Sequence, residues 1–147
     1  MRRLIIGVAL VAMVTCGRQE SAKTGTHSST GLLAWQSNYS AAVAQAKTEH
    51  KLVMVDIYTD WCGWCKRLDK DVYANPDVAA KLAGSFVAVK LNPEKSKEAA
   101  EVSKKFGTRG FPHIVFVEGD GNKVDEIGGY VPASEFLQRL NSLTAKK

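Results

Sequence analysis

A chain of 147 residues with 45% hydrophobic content has room for one ordinary domain with a real core, which excludes a disordered protein and an array of domains. The formal charge of +5 counts Arg2 and Arg3; without them 18 Lys and Arg face 15 Asp and Glu, a balance of about +3. The lysines are scattered through helical segments rather than gathered with aromatics, which argues against nucleic acid as a partner.

The N-terminus differs from the rest. After Arg2 and Arg3, Leu4 to Val14 are apolar apart from Gly7. Eleven helical residues rise only about 16 Å, too short for a bilayer core of roughly 30 Å. Residues 1–15 therefore read as a secretory signal peptide, and export from the cytosol is expected. The run ends in Met13-Val-Thr-Cys16, which resembles the lipobox of bacterial lipoproteins, where cleavage leaves a lipidated cysteine as the new N-terminus. Met13 and Thr15 depart from the commonest form of that motif. The alternative is soluble secretion, with Cys16 lost in the cleaved peptide or left as an odd thiol. Residues 16–33, containing the polar stretch Gly17 to Gly31 with His27, have no apolar periodicity and read as a flexible tether.

The folded domain is expected over 34–147. Tyr39 to His50 predicts a helix, with Val43 and Ala46 on one face. Leu52 to Tyr58 is β-rich and apolar on both sides, as in a central strand covered by helices on both faces. A helix follows from about Cys62, and Asn75-Pro76 supplies a cap and first-turn proline for another, to about Ala83. Phe86 to Leu91 predicts a strand, and Lys97 to Phe106 a helix closed at Gly107. His113–Val117 and Lys123–Ile127 flank the turn residues Gly119 to Asn122 and predict a hairpin. The last helix, Ala133 to Leu143, turns Phe136, Leu137 and Leu140 inward. The order implies an α/β fold with a central mixed sheet of four to five strands flanked by helices on both faces.

The chemistry-bearing stretch is Tyr58 to Arg67, with Cys62 and Cys65 beside Trp61 and Trp64. Positions i and i+3 on a first helical turn lie roughly 5 Å apart, within the reach of a disulfide. Unpaired N–H groups at a helix start also favour a thiolate: at a pKa of about 8.5 only about 3% of a thiol is ionised at pH 7, and at a pKa near 7 about half. Cys62 gains most from that position and is expected to be the exposed nucleophile, with Cys65 as the resolving thiol. A structural zinc site needs four ligands, and Cys16, His27, His50 and His113 have no ligand spacing to the pair, so no metal is expected. A staple across two intervening residues would constrain little of the unfolded chain.

From about residue 34 to 143 the chain resembles the thioredoxin family, and within it periplasmic members such as the C-terminal domain of DsbD. Trp61-Cys-Gly-Trp-Cys-Lys66 is similar to the family's Trp-Cys-Gly-Pro-Cys-Lys, Val55-Asp-Ile57 to the strand with its buried acid, and Lys90-Leu-Asn92 to its Lys-Leu-Asn. Arg109-Gly-Phe-Pro112 resembles the loop with a cis proline, and Gly128-Gly129 falls where the family keeps a glycine. The resemblance implies that Asp56 exchanges a proton with Cys65, that Lys90 tunes Asp56, and that Pro112 is cis and faces the disulfide. It also implies that Trp61, Gly63, Trp64, Phe111 and Pro112 meet the substrate. Plainer readings stand beside these: a structural acid, a surface lysine, a strand-start proline and core tryptophans. His113 replaces the family's usual Thr; its ring either lies near Cys62 and favours the thiolate or points away. Trp64 replaces a proline, so the motif does not give the direction of electron flow.

The expected function is an exported thiol-disulfide oxidoreductase, a reductase of oxidised periplasmic proteins, with no cofactor beyond the Cys62–Cys65 pair. A reductase outside the cytosol needs a membrane electron donor such as a DsbD-like conductor, and lipid on Cys16 would hold the protein at the membrane. The alternative is a binding module that docks a partner or delivers Cu(I) through the same cysteines.

Overall fold

The structure is a computed structural model that describes residues 33–145. The signal peptide expected at 1–15, Cys16, His27 and most of the tether lie outside the described residues. Leu33, which the expected boundary puts in the tether, is buried in the core beside the first strand. The folded part therefore begins at least one residue earlier than the pattern suggested.

The strands are β1 (Trp35–Gln36), β2 (Leu52–Ile57), β3 (Phe86–Leu91), β4 (His113–Val117) and β5 (Lys123–Gly128). They form one mixed sheet in the order β1-β3-β2-β4-β5, with β1 and β2 parallel to β3, and β4 antiparallel to β2 and β5. The helices are α1 (Tyr39–Glu49), α2 (Gly63–Leu68), α3 (Pro76–Ser85), α4 (Lys97–Lys105) and α5 (Ala133–Ala145). All six residues of β2 are buried, as a strand covered on both faces requires. Alternation sends Val53, Val55 and Ile57 to the side of α1 and α4, where they join Ala42, Ala46, Val102 and Phe106. Leu52 and Met54 face the opposite layer of α2, α3 and α5, with Leu68, Leu82, Phe136 and Leu140. Asp56 continues that second register and so points into an apolar layer.

Local signals account for the helix ends. Asn38, Asn75 and Ser96 cap α1, α3 and α4 through their side chains, with Pro76 in the first turn of α3. Gly107, at φ +67°, follows α4 in the left-handed conformation. Two features were not legible in the pattern. The strand β1 is too short to show a period. A π-helical turn, Asp69–Tyr73, continues α2, and the Ala74 N–H donates to the Asp69 carbonyl five residues back. This wide turn sends Asp69 and Tyr73 toward the Lys90 end of β3.

The hairpin turn between β4 and β5 packs tightly on α1. A Cβ on Gly119 would lie 2.6 Å from the Lys47 Cα, closer than any real contact. Gly119→Ala is expected to cost about 1–3 kcal/mol through forced backbone displacement. Urea denaturation should register the loss as a lower midpoint at an unchanged slope.

Candidate active site

Cys62 is the N-cap of α2 and Cys65 sits one turn in, so the helix start holds both sulfurs. They form a disulfide with Cα atoms 5.3 Å apart, the separation expected from helical spacing. The Cys65 N–H donates to Cys62 Sγ at 3.1 Å. Once the bond opens, that N–H is aimed at the sulfur that would carry charge. One expectation changes: Cys62 is not exposed, with 5% of its surface accessible against 3% for Cys65. Exposure does not separate the two; their positions on the cap do. Trp61 and Trp64, 67% and 55% exposed, take the solvent-facing positions instead.

Those tryptophans are not core residues, and each has an aromatic partner. Trp61 meets Phe111 edge-on at 5.8 Å, with its indole N–H donating to Glu94 at 2.9 Å. Trp64 lies 5.7 Å from Tyr130, and the Arg67 guanidinium stacks over both rings. The two pairs flank the cysteine motif, one from the loop before β4 and one from the loop after β5. Gly63 opens outward, since a Cβ there would meet nothing within 4 Å. Buried Asn92 ties the approach together: its side chain donates to Asp60 and accepts from the Glu94 N–H.

Pro112 follows a cis peptide bond and is buried, and the Gly129 N–H donates to its carbonyl at 2.8 Å. Gly129 has φ +89°, which a side chain would strain. Beside this loop opens a cleft of about 600 Å³, lined among others by Phe106, Arg109, Phe111, His113 and Glu126. His113 is buried, and its ring is engaged on both nitrogens, Nδ1 with the Thr108 hydroxyl at 2.9 Å and Nε2 with Glu126 at 3.2 Å. Alternation along β4 places it with Val115 and Val117 on the α1/α4 side, whereas α2 packs on the other. Of the two orientations open in the sequence, the structure has the one pointing away.

On the α2 side of the sheet a charged cluster sits in an apolar layer. Asp56 is 1% exposed, and its register partner on β3 is Lys90. Lys90 Nζ lies 3.2 Å from Asp56 Oδ2 and also pairs with Asp69 of the π turn. Trp35, Tyr58 and Tyr73 surround the ammonium at 4.8 to 5.5 Å from their centroids. Lys90 is thus no ordinary surface lysine. Burial pushes the Asp56 carboxyl above the ordinary carboxylate range; Lys90 works against this and Asp69 adds to it. For Lys90, burial favours the neutral form, but the two carboxylates outweigh it and raise the ammonium above its usual value. Leu68, one turn beyond Cys65, packs in the layer toward which Asp56 points.

The structure thus brings Cys62, Cys65, Trp61, Gly63, Trp64, Phe111 and Pro112 to one end of the sheet, with Asp56 and Lys90 beneath. Sequence reasoning missed Asp69, Tyr73, Glu94 and Tyr130. Asp69 and Tyr73 arrive through the π turn, and Glu94 and Tyr130 through loops without a periodic signal. Arg67 did carry one, three residues from Trp64 on the same helix face. Among the described residues no group of three or more His, Cys, Asp or Glu side chains could hold a metal ion.

A family model described as a thioredoxin-like domain matches residues 39–144. The thiol:disulfide interchange protein DsbD of Yersinia pestis is 34% identical over 107 residues, 71% of this chain and 18% of that protein. The chain therefore spans about a fifth of the length of such relatives. Among solved structures, a thioredoxin from Thermus thermophilus aligns with a TM-score of 0.70 at 27% identity, over 79% of this chain and 90% of that one. The C-terminal domain of Neisseria meningitidis DsbD in the oxidised form aligns at 0.58 and 28%, over 69% and 90%.

Proposed function

The chain belongs to the thioredoxin-like domain family, and from that premise we propose that it is a thiol-disulfide oxidoreductase working outside the cytosol as a reductase of protein disulfides. The observation that carries the reading is the Cys62–Cys65 disulfide across the start of α2, with the buried Asp56–Lys90 pair on the adjoining sheet face. The likeness to DsbD supports the same direction.

In the proposed cycle the Cys62 thiolate attacks one sulfur of a substrate disulfide. The substrate S–S bond breaks, one substrate thiolate leaves, and a Cys62–substrate disulfide forms. Cys65 gives its proton to Asp56, directly or through water, and its thiolate attacks Cys62 Sγ. The second substrate thiol departs with a proton, and the Cys62–Cys65 disulfide is restored. Two electrons have passed to the substrate, and a dithiol donor must return them. A membrane electron conductor of the DsbD kind suits an exported protein, whose surroundings are otherwise oxidising. We assign residues 1–15 to a signal peptide, Cys16 to a lipid anchor and the segment after it to a tether. No helix among the described residues is long and apolar enough to cross a membrane.

Trp61, Gly63, Trp64, Phe111 and Pro112 form the proposed substrate platform: the exposed indoles supply apolar contact, and the open face at Gly63 admits an extended backbone. Trp61→Ala or Trp64→Ala should each raise KM for a protein disulfide about fivefold, as loss of about 1 kcal/mol of contact predicts. Neither should alter the rate with a small aromatic disulfide. The reading as a whole is tested by reduction of insulin with dithiothreitol as donor. The full chain should accelerate precipitation of the insulin B chain well above the uncatalysed rate; a rate equal to the uncatalysed one contradicts it.

A further inference from the structure

Tyr73 takes no part in the thiol chemistry above, yet it stands against the acid that does. It is 2% exposed, and its ring is fixed by Trp35 at 4.9 Å, Phe136 at 5.7 Å and the Lys90 ammonium at 5.5 Å. Its hydroxyl and Asp56 Oδ1 are both buried, and neither makes a well-formed hydrogen bond among the described residues. Lys90 occupies the other oxygen, Oδ2. The phenol and the carboxyl already act on one another through a loose hydrogen-bonding contact. Tyr73 favours the charged form of Asp56, and Asp56 adds to the burial that drives the phenol well above its usual range.

A buried donor and a buried acceptor without a well-formed bond are both unfavourable, and here one tightened contact would satisfy both. A phenol carries one O–H, and its torsion is soft, so rotation can aim it at Oδ1. We propose that Tyr73 is a positioning donor for Asp56, its O–H closing on Oδ1 when the carboxylate carries charge and relaxing from it when the carboxyl is protonated.

Asp56 is faced by Lys90 from β3, by Asp69 and Tyr73 from the π turn, and in register on β4 by the apolar Ile114. Tyr73 is the neutral donor in this set. Lys90 is shared with Asp69, so a second donor lets Asp56 hold charge in an apolar layer without taking the ammonium from its other partner. On the reductase reading, on which this inference rests for its purpose, the contact keeps Asp56 able to receive the Cys65 proton near neutral pH. The contact itself does not depend on that reading.

The π turn gives the idea its geometry. Asp69 and Tyr73 are its first and last residues, and both reach the Lys90 group. An apolar ring at position 73 would pack as well but leave Oδ1 unsatisfied.

Tyr73→Phe keeps the ring and removes only the oxygen. In the oxidised full chain, labelled with ¹³C at the Asp carboxyl carbons, the Asp56 midpoint should rise on the order of one pH unit, equivalent to about 1.4 kcal/mol. The Asp carbons other than coupled Asp69 should stay in place. In the reduced chain the acid limb of mixed-disulfide resolution should move up with it. An unchanged Asp56 midpoint overturns the proposal. Should Tyr73→Phe fold poorly, 3-fluorotyrosine placed at position 73 provides the opposite sign: a more acidic phenol is a stronger donor and should lower the midpoint. A midpoint that stays or rises there also overturns it. The titration needs no turnover, so a chain inactive toward protein disulfides would still pass or fail.

Discussion

Cys65→Ser should accumulate a one-to-one covalent adduct with a disulfide substrate through Cys62, while Cys62→Ser should form none and turn over at the uncatalysed rate. This asymmetry follows from the helix start. Cys62 is the cap, with the Cys65 N–H on its sulfur at 3.1 Å, and Ser at position 65 keeps that backbone donor while removing the thiol that would resolve the adduct. The adduct is therefore expected to be stable to gel electrophoresis without reductant and to yield free substrate on adding dithiothreitol. Similar burial of the two cysteines makes the experiment informative, because exposure alone predicts no preference. If Cys62→Ser captured substrate through Cys65 as efficiently as Cys65→Ser does through Cys62, the assignment of attacking and resolving thiols would be wrong.

Asp56→Asn should make the protein more stable and the reaction slower. Burial raises the Asp56 carboxyl above its unfolded value, which lies near 3.9. Between the unfolded and the folded value the folded chain binds more protons, so stability falls as pH rises through that window and stays reduced above it. A neutral Asn removes this penalty. Lys90 retains Asp69 and its three aromatic faces, so it is not left unpaired. Melting temperatures should therefore favour Asp56→Asn at pH 8, with the difference shrinking toward pH 4. Lys90→Met has the opposite sign. It leaves buried Asp56 without its cation and facing Asp69, at a cost of about 3 kcal/mol or more. In turnover, Asp56→Asn removes the proposed proton acceptor for Cys65, and resolution should slow on the order of 10²-fold at pH 7. The loss should recede at alkaline pH, where Cys65 ionises unaided. An Asp56→Asn protein as fast as wild type at pH 7 would make the acid purely structural.

The residues assigned to the proposed chemistry lie in short local motifs, which is why the sequence singled them out. Cys62 and Cys65 are three apart at a helix start, Asp56 interrupts an apolar strand, and Lys90 sits at the matching register of the next. Secondary structure was legible for the same reason: α1, α3, α4 and α5 carry caps or amphipathic spacing, and β2 to β4 are apolar runs. What stayed hidden depends on how elements meet. Tyr73 and Asp69 reach Lys90 because the chain adopts one wide turn, and no composition rule distinguishes DKDVY as π rather than α. Tyr130 meets Trp64 only when β5 has been laid beside β4. His113 stayed open in the sequence; its alternation with Val115 and Val117 decides its side only once β4 is laid beside β2.

The central claim is that the Cys62–Cys65 pair runs as a reductant. Its equilibrium potential, read by mass spectrometry of the alkylated chain across dithiothreitol redox buffers, tests that claim most directly. A value close to the thioredoxin potential of about −270 mV is predicted; one near the DsbA potential of about −120 mV would make the pair an oxidant and contradict it.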